Sequence, residues 1–141
     1  MHHGFTRDER GLTLMELIIV LAVIAIIGAI LAPNFLSATD RARLKSDVES
    51  TNIIQTAINT YNAEQSNPID VSGSVETVII PELSGKGYLS ASDATTPQTA
   101  AAVWTIDTDS IVKLDISGCT LKIKGDIYNA LTDKEKAVVT E

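Results

Sequence analysis

Few side chains in this sequence are of the types that carry out catalysis or bind metals. The chain has one cysteine, Cys119, and its two histidines, His2 and His3, lie within the first three residues. An intrachain disulfide, a zinc site with two or more thiolates and a CxxC redox motif all require more than one cysteine. The body of the chain also lacks a histidine for a catalytic triad or a metal cluster. We therefore predict that this protein is not an enzyme.

The most unusual ionisable residue is Glu16, which lies in an otherwise apolar stretch. Residues 17–32 are sixteen consecutive apolar residues, and residues 12–32 carry no other charge. As a helix these 21 residues are about 31 Å long, close to the thickness of the hydrocarbon core of a bilayer. The alternative is a helix buried in a soluble core, but a chain of 141 residues is too short to enclose a helix that is apolar on every side. We expect a membrane-spanning helix.

A carboxylate buried in an apolar assembly needs a cationic partner, and the span that contains Glu16 provides none. Residues 12–40 contain no lysine and no arginine. In one interpretation the partner comes from a neighbouring chain. In the other, Glu16 snorkels to the lipid headgroups from the end of the span. Both can apply in turn, snorkelling in the membrane and pairing in an assembly.

The residues around Glu16 form a recognisable motif. Arg10 and Gly11 are followed by Leu-Thr-Leu-Met-Glu-Leu, so that the glutamate is the fifth residue after the glycine. This order, with the apolar run that reaches Pro33, resembles the N-terminal region of type IV pilins and the related pseudopilins, over about residues 7–61. The resemblance implies that a prepilin peptidase removes residues 1–11 by cutting between Gly11 and Leu12, and methylates the new amine of Leu12. It also implies that this amine, on a neighbouring subunit, is the partner of Glu16 in assembly.

Two features of the span, residues 12–33, bear on how helices pack. Small residues recur at intervals of three and four and form a narrow stripe that allows close approach of a second helix: Ala22, Ala25, Ala29 and Ala32. Pro33 cannot donate a hydrogen bond to the carbonyl of Ala29, so we expect the helix to kink or loosen there, helped by Gly28. The resemblance implies that the segment before this proline melts in filaments, although Ala25 stands where the family usually has a helix-weakening glycine.

An amphipathic helix should follow over residues 34–62. Its apolar face is spaced by three and four residues: Leu44, Val48, Thr51, Ile54, Ile58 and Tyr61. The remaining positions carry a mixed charged cluster, predicted to be solvated or to face another subunit: Asp40, Arg41, Arg43, Lys45, Asp47 and Glu49. A nucleic-acid site at the basic residues of this cluster is disfavoured by the acidic ones beside them.

Residues 63–141 are predicted to form a globular head. A loop runs to about residue 74, Pro81 starts a helical turn, and residues 102–107, 111–116 and 120–124 read as a three-stranded antiparallel meander. Thr132 and Glu135 have capping-box spacing, which indicates a short final helix. The predicted fold class is α+β, a long N-terminal helix packed on a small antiparallel sheet.

Candidate ligand sites in the head are few. Asp107 and Asp109 lie in a short acidic segment that is either a hairpin turn or part of a calcium site, without further ligands to assign. Cys119 is expected to be a small buried residue. The formal net charge of −7 disfavours nucleic acid as the main ligand.

These observations leave functions of different classes. The first is a major pilin-like subunit of a type IV pilus, held in the cytoplasmic membrane and then polymerised with the help of an assembly platform and an ATPase. Its alternative within the family is a major pseudopilin of a secretion or competence system. The third is a membrane-anchored binding module that never polymerises, which would leave Arg10, Gly11 and Glu16 without a role.

Overall fold

The computed structural model describes residues 13–90 and 96–141. The predicted leader and cleavage site, residues 1–12, lie outside the described residues. Contacts within the chain divide it into two compact units, with the boundary between Leu36 and Ser37. One long helix, α1 (Leu14–Glu64), contributes to both units, and the remaining described elements belong to the second unit.

The described part of the first unit is the apolar first part of α1. Its large apolar side chains from Leu14 to Leu36 are all at least half exposed. Of the described helices, α1 is the one long and apolar enough to cross a membrane, and none of the window that meets this test is buried within the chain. The helix continues through residue 33 without interruption, so the loosening expected at Pro33 does not break it.

The part of α1 in the second unit is amphipathic, as predicted. It ends at Glu64, two residues beyond the predicted end at residue 62. Every member of the predicted apolar face is buried: Leu44, Val48, Thr51, Ile54, Ile58 and Tyr61. This face forms one side of the core because a stripe of apolar residues on a helix must be covered by another layer of structure.

A loop and a helical segment follow α1. Residues 65–74 lack helix and strand, as predicted. A π-helical turn (Val75–Ile79) leads directly into α2 (Ile80–Gly85), which has a proline in its first turn, where no intrahelical donor is needed. The chain then turns at Gly87, whose φ of 82° is readily adopted by glycine. The helical turn predicted at Pro81 is confirmed.

The sheet has three strands in the order β1-β2-β3. The first two are β1 (Val103–Ile106) and β2 (Val112–Asp115), which pair antiparallel with Trp104 opposite Leu114. They lie within the two predicted strand segments. The third is β3 (Val139–Thr140), which pairs with β2 in parallel. The α+β class is confirmed, with a mixed sheet in place of the predicted antiparallel one.

The strand predicted at residues 120–124 is wrong. The carbonyl of Thr120 accepts hydrogen bonds from the amides of Ile123 and Lys124, and a π-helical turn occupies Ile123–Ile127. Ile123, Ile127 and Leu131 are buried at intervals of four, a spacing that places side chains on one face of a helix. The β-branched residues of this segment favoured a strand, but burial at helical spacing determined the structure.

The core of the second unit lies between the apolar face of α1 and the sheet. Leu44, Ile54, Ile58 and Leu114 are fully buried there. The last helix is α3 (Asp133–Lys136), whose capping box pairs Thr132 with Glu135 as the spacing predicted.

Candidate assembly site

Glu16 takes part in the N-terminal cap of α1. Thr13 precedes the helix, and its amide and hydroxyl both donate to Oε2 of Glu16, at 3.3 and 3.4 Å. The amide of Glu16 donates in return to the hydroxyl of Thr13 at 3.2 Å. This reciprocal arrangement is a capping box, which satisfies amide groups that the first turn of a helix leaves without partners.

The cap leaves part of the carboxylate available. Glu16 is exposed, and within the described residues Oε1 accepts no hydrogen bond. Among the described residues, one oxygen of the carboxylate is therefore hydrogen-bonded, while the other has no donor.

The other predicted site residues are placed as follows. Gly11 and Leu12, the predicted cleavage site, lie outside the described residues. Residue 33, the predicted proline of the span, lies within α1. The small-residue stripe, Ala22, Ala25, Ala29 and Ala32, is exposed along the same helix. These placements do not test the roles in processing and assembly, which stay predictions.

Asp47 differs from its prediction as part of a charged surface. Its side chain is only 1% exposed. The amide of Gln98 donates to its Oδ1 and the amide of Thr99 to its Oδ2, both at 2.7 Å. Charged acceptors make strong hydrogen bonds to backbone amides, and these bonds offset the cost of burying the carboxylate. The prediction was wrong because it assigned Asp47 by its charge, whereas the partners that bury it lie about fifty residues away.

Two more polar side chains, at steps of four from Asp47, also connect α1 to the head. Thr51 donates its hydroxyl to the carbonyl of Asp47 at 2.8 Å and accepts the indole N–H of Trp104 at 3.1 Å. Gln55 accepts the amide of Val112 at 2.7 Å and donates to the carbonyl of Ser110 at 3.0 Å. Three side chains of α1 therefore bind residues 98–99, β1 and the turn before β2: Asp47, Thr51 and Gln55.

Tyr61, near the end of α1, contacts Tyr88 in the segment after α2. The rings of Tyr61 and Tyr88 meet edge to face with centroids 5.4 Å apart. The hydroxyl of Tyr61 donates to Glu82 at 3.1 Å and accepts from the ammonium of Lys86 at 2.7 Å. Hydrogen bonding to Tyr61, and then to Glu82, raises the pKa of Lys86. Lys86 therefore stays charged throughout the physiological pH range.

An open groove of about 650 Å³ lies between α1 and the segment 86–88. It is lined on the helix side by short polar side chains and Ile53, with a glutamate at each end, Glu49 and Glu64. The lining positions of α1 are Glu49, Asn52, Ile53, Thr56, Ala57, Thr60 and Glu64. The groove mixes apolar, polar and charged groups.

The acidic segment predicted as a hairpin turn or a calcium site is a hairpin turn. The carboxylate Oδ1 of Asp107 accepts the amides of Asp109 and Ile111, at 3.0 and 2.9 Å, so it caps its own turn between β1 and β2. Among the described residues, no group of three or more His, Cys, Asp or Glu could hold a metal ion. A calcium site in the head stays a prediction without assigned ligands.

Cys119 is buried, as predicted. Desolvation raises the pKa of its thiol, with a smaller contribution from the negative charge of Asp115. A buried thiol with a raised pKa is a poor nucleophile at neutral pH, because the thiolate is the reactive form. Its side chain is part of the buried core.

Two sets of contacts were not predicted, although each has a signal in the sequence. Thr13 and Glu16 have the spacing of a capping box directly before an apolar run. The same spacing correctly predicted the capping box at Thr132. Asp47, Thr51 and Gln55 are three polar residues at steps of four along one side of the helix. This spacing shows that they share a helix face, but it carries no information about their partners.

The exposed apolar helix with a carboxylate in its first turn and the small α+β unit are consistent with a type IV pilin-like fold. The comparisons agree. Residues 6–32 match the family described as the prokaryotic N-terminal methylation motif. This match confirms the predicted resemblance in its N-terminal part, over residues 7–32.

Two relatives have informative names. The chain is 34% identical over 89 residues to "Prepilin peptidase-dependent protein A" of Clostridium perfringens, an alignment that covers 63% of this chain and 61% of the relative. It is 39% identical over 66 residues to "Type IV wide pilus major component PilA4" of Thermus thermophilus, which covers 42% of this chain and 50% of the relative. The chain thus spans between half and two thirds of the length of these relatives. No solved structure matches the chain significantly.

Proposed function

We propose that this protein is a structural subunit of a type IV pilus, a major pilin-like protein that polymerises through α1. The observation that carries the proposal is the apolar first part of α1, whose large side chains are all at least half exposed within the chain. At roughly 25 cal/mol per Å² of apolar surface, burying such a helix stabilises it by tens of kcal/mol relative to water. Either a bilayer or other copies of the same helix must cover it.

The proposed sequence of events begins with a single-pass precursor in the cytoplasmic membrane. A prepilin peptidase cuts between Gly11 and Leu12 and creates an amine at the new N-terminus. Glu16 supports the next step, because it lies in the first turn of the exposed helix and has one carboxylate oxygen free within the described residues. In the filament this carboxylate pairs with the Leu12 amine of a neighbouring subunit. The ion pair can be buried in apolar surroundings because each charge neutralises the other.

The extraction of a subunit from the membrane requires machinery, and we propose an assembly platform and an ATPase as partners. The relative named as a major component of a type IV pilus supports a structural role of this chain in such a fibre. The relative named for its dependence on prepilin peptidase supports the processing step. The proposed final location is an extracellular or periplasmic filament, and the processes that an extracellular pilus would serve are adhesion, motility or DNA uptake.

The experiment is mass spectrometry on filaments sheared from cells that produce the full chain. We expect a subunit that begins at Leu12 and carries one methyl group on its amine. An intact Met1 in assembled material would contradict the proposed processing. A Gly11→Leu variant should stay uncut, because a bulky side chain blocks the approach of the peptidase to the backbone, and it should accumulate in the membrane.

Two alternatives give other outcomes in the same cells. A pseudopilin would be processed in the same way but would form no long surface filaments at native expression. A membrane-anchored binding module would show an uncut N-terminus and no filaments under any condition.

A further inference from the structure

We propose that the second unit carries a surface that binds anionic lipid headgroups while the chain is held in a membrane. Four cations and one apolar side chain form this surface, which we call the basic collar: Arg41, Arg43, Lys45, Leu121 and Lys122. All five residues are exposed and belong to the second unit. The inference rests on the membrane-held precursor stage of the proposed function and does not depend on polymerisation.

The charges of the second unit, residues 37–141, are unevenly distributed. Residues 40–45 and 122–136 hold seven of its nine lysines and arginines, but only four of its fifteen acidic residues. The rest of the unit holds two cations and eleven acids. The two segments therefore have a formal charge of +3, and the rest has −9. With this separation of charge, an anionic surface attracts one part of the unit and repels the other.

The fold brings the two cationic segments together. The ammonium of Lys122 pairs with the carboxylate of Asp40 at 3.7 Å, and that of Lys45 pairs with Glu135 at 3.4 Å. Both pairs join the beginning of α1 in this unit to residues far along the chain. The cations of the two segments therefore share one region of the surface, which the sequence alone does not reveal.

The cations of the collar are available to phosphate oxygens. Within the described residues, neither Arg41 nor Arg43 takes part in an ion pair. The side chains of Lys45 and Lys122 are paired but 49% and 43% exposed. Exposed ion pairs contribute little because water screens them, so both lysines can turn to an added phosphate at small cost. Arginine binds phosphate through two parallel hydrogen bonds, which makes the two arginines the stronger ligands.

Leu121 adds an apolar group directly before Lys122. Its side chain is 85% exposed, more than any other large apolar side chain among the described residues. Protein surfaces that lie in the bilayer interface combine lysine and arginine with leucine or aromatic residues. The cations meet the phosphates there, and the apolar side chain enters the boundary with the acyl chains. Leu121 therefore favours a lipid surface over a purely ionic partner.

The chain itself holds the collar near the bilayer. The first unit, which contains the apolar run, ends at Leu36, and Arg41 follows five residues later. Even a fully extended chain of five residues spans only about 18 Å. With the run in the bilayer, Arg41 therefore stays close to the headgroups. Clusters of four or more lysines and arginines directly beside a membrane span are typical of anionic lipid binding.

The test uses the full chain in nanodiscs of phosphatidylcholine, alone or mixed with phosphatidylglycerol. An amine-reactive reagent labels exposed lysines, and mass spectrometry gives the labelling rate of each one. We expect slower labelling of Lys45 and Lys122 on the anionic discs, whereas Lys113, an exposed residue of β2, keeps its rate. High salt should remove the difference, because it screens exposed charges. Equal protection of all three lysines, or of none, would overturn the inference.

Charge-removing variants measure how much each cation contributes. The protection of Lys122 gives an equilibrium constant for contact with the anionic disc. Arg41→Gln and Arg43→Gln should each lower this constant about fivefold, the contribution of one cation near an anionic surface. Lys113→Gln makes the same charge change outside the collar and should leave the constant unchanged. An effect of Lys113→Gln as large as that of the arginine variants would contradict a local surface.

A second pair of variants tests the apolar contribution. Leu121→Ser should also lower the equilibrium constant, because it removes the side chain that enters the interface. Ile111→Ser is the matched control, since Ile111 is 47% exposed but lies in the hairpin turn outside the collar. It should leave the constant unchanged. Equal effects of the two serine variants would contradict the role of Leu121 and the assignment to lipid.

Two further outcomes separate this inference from the proposed function and from another polyanion. A full chain that does not enter the discs would contradict the membrane stage, and the inference fails with it. Entry without any dependence on lipid charge overturns the inference alone. Double-stranded DNA added to neutral discs should protect Lys45 and Lys122 little, because the remaining acids repel it. Protection equal to that by phosphatidylglycerol, at the same phosphate concentration, would overturn the assignment to lipid.

Discussion

The indole N–H of Trp104 on β1 donates to the hydroxyl of Thr51 on α1 at 3.1 Å, in the buried core of the second unit. The hydroxyl of Thr51 in turn donates to the carbonyl of Asp47, whose carboxylate binds the amides of Gln98 and Thr99. A continuous hydrogen-bonded path therefore runs from the sheet through the helix to the loop. Such a buried network stabilises a unique arrangement when all of its members are satisfied.

The first prediction concerns Thr51. Thr51→Val keeps the shape but leaves the indole N–H of Trp104 buried without a partner, so the free energy of unfolding should fall by about 1–3 kcal/mol. Thr56→Val is the matched control, since Thr56 makes the same bond to the helix backbone but is exposed. It should change stability by less than about 0.5 kcal/mol. Urea unfolding followed by Trp104 fluorescence measures both, and equal effects would contradict the role of the network.

The second prediction concerns Asp47. Asp47→Asn places an amide NH₂ group against at least one of the amides of Gln98 and Thr99, which are themselves donors. Loss of a charge-assisted bond and an unpaired buried donor should lower the free energy of unfolding by about 2–4 kcal/mol. Amide hydrogen exchange should become faster at Gln98 and Thr99. Unchanged exchange at both amides would show that the carboxylate does not hold this loop.

The third prediction separates the two roles of Glu16. Glu16→Ala removes both the cap and the charge, whereas Glu16→Gln keeps a residue type that completes a capping box and removes only the charge. If the carboxylate pairs with the Leu12 amine of a neighbour, both variants should abolish sheared filaments, because removing one partner of a buried pair costs about 3–5 kcal/mol. Membrane abundance should be unchanged or higher. Normal filament yield from Glu16→Gln would leave capping as the role of this residue.

The fourth prediction concerns acid stability at the end of the chain. Hydrogen bonds from the amide and side chain of Thr132 lower the pKa of Glu135 from its ordinary value of 4.5. A group whose pKa is lower in the folded state contributes stability above its unfolded pKa and loses it as the pH falls through the folded pKa. NMR titration should give a midpoint for Glu135 below 4.5. Glu135→Gln should reduce the loss of stability in acid, and an unshifted midpoint would contradict the capping box.

The fifth prediction is that residues 40–141 fold as a soluble monomer. This fragment retains the whole buried face of α1 together with the sheet. A shorter fragment that starts at residue 62 lacks Leu44, Ile54 and Ile58, so it exposes the inner face of the sheet and should aggregate. A well-dispersed NMR spectrum from the monomeric shorter fragment would contradict the packing of α1 on the sheet.

Several parts of the fold follow from local sequence patterns. The apolar run that ends near Pro33, the buried face from Leu44 to Tyr61 and the capping box at Thr132 depend on residues only three or four positions apart, so their spacing is visible in the sequence. The hairpin between β1 and β2 is equally local, because its turn is capped by Asp107 within the turn itself. The motif at Gly11, Leu12 and Glu16 predicted the class of protein for the same reason.

Contacts between distant residues were decided by the tertiary structure alone. The third strand is formed by Val139 and Thr140 and not by residues 120–124. These two residues pair in parallel with the edge of β2 that β1 leaves unpaired. Asp47 is buried because the amides of Gln98 and Thr99 reach it from a loop about fifty residues away. Spacing along the chain gives the face on which a residue lies, whereas the partner that covers that face is set only when the whole core packs.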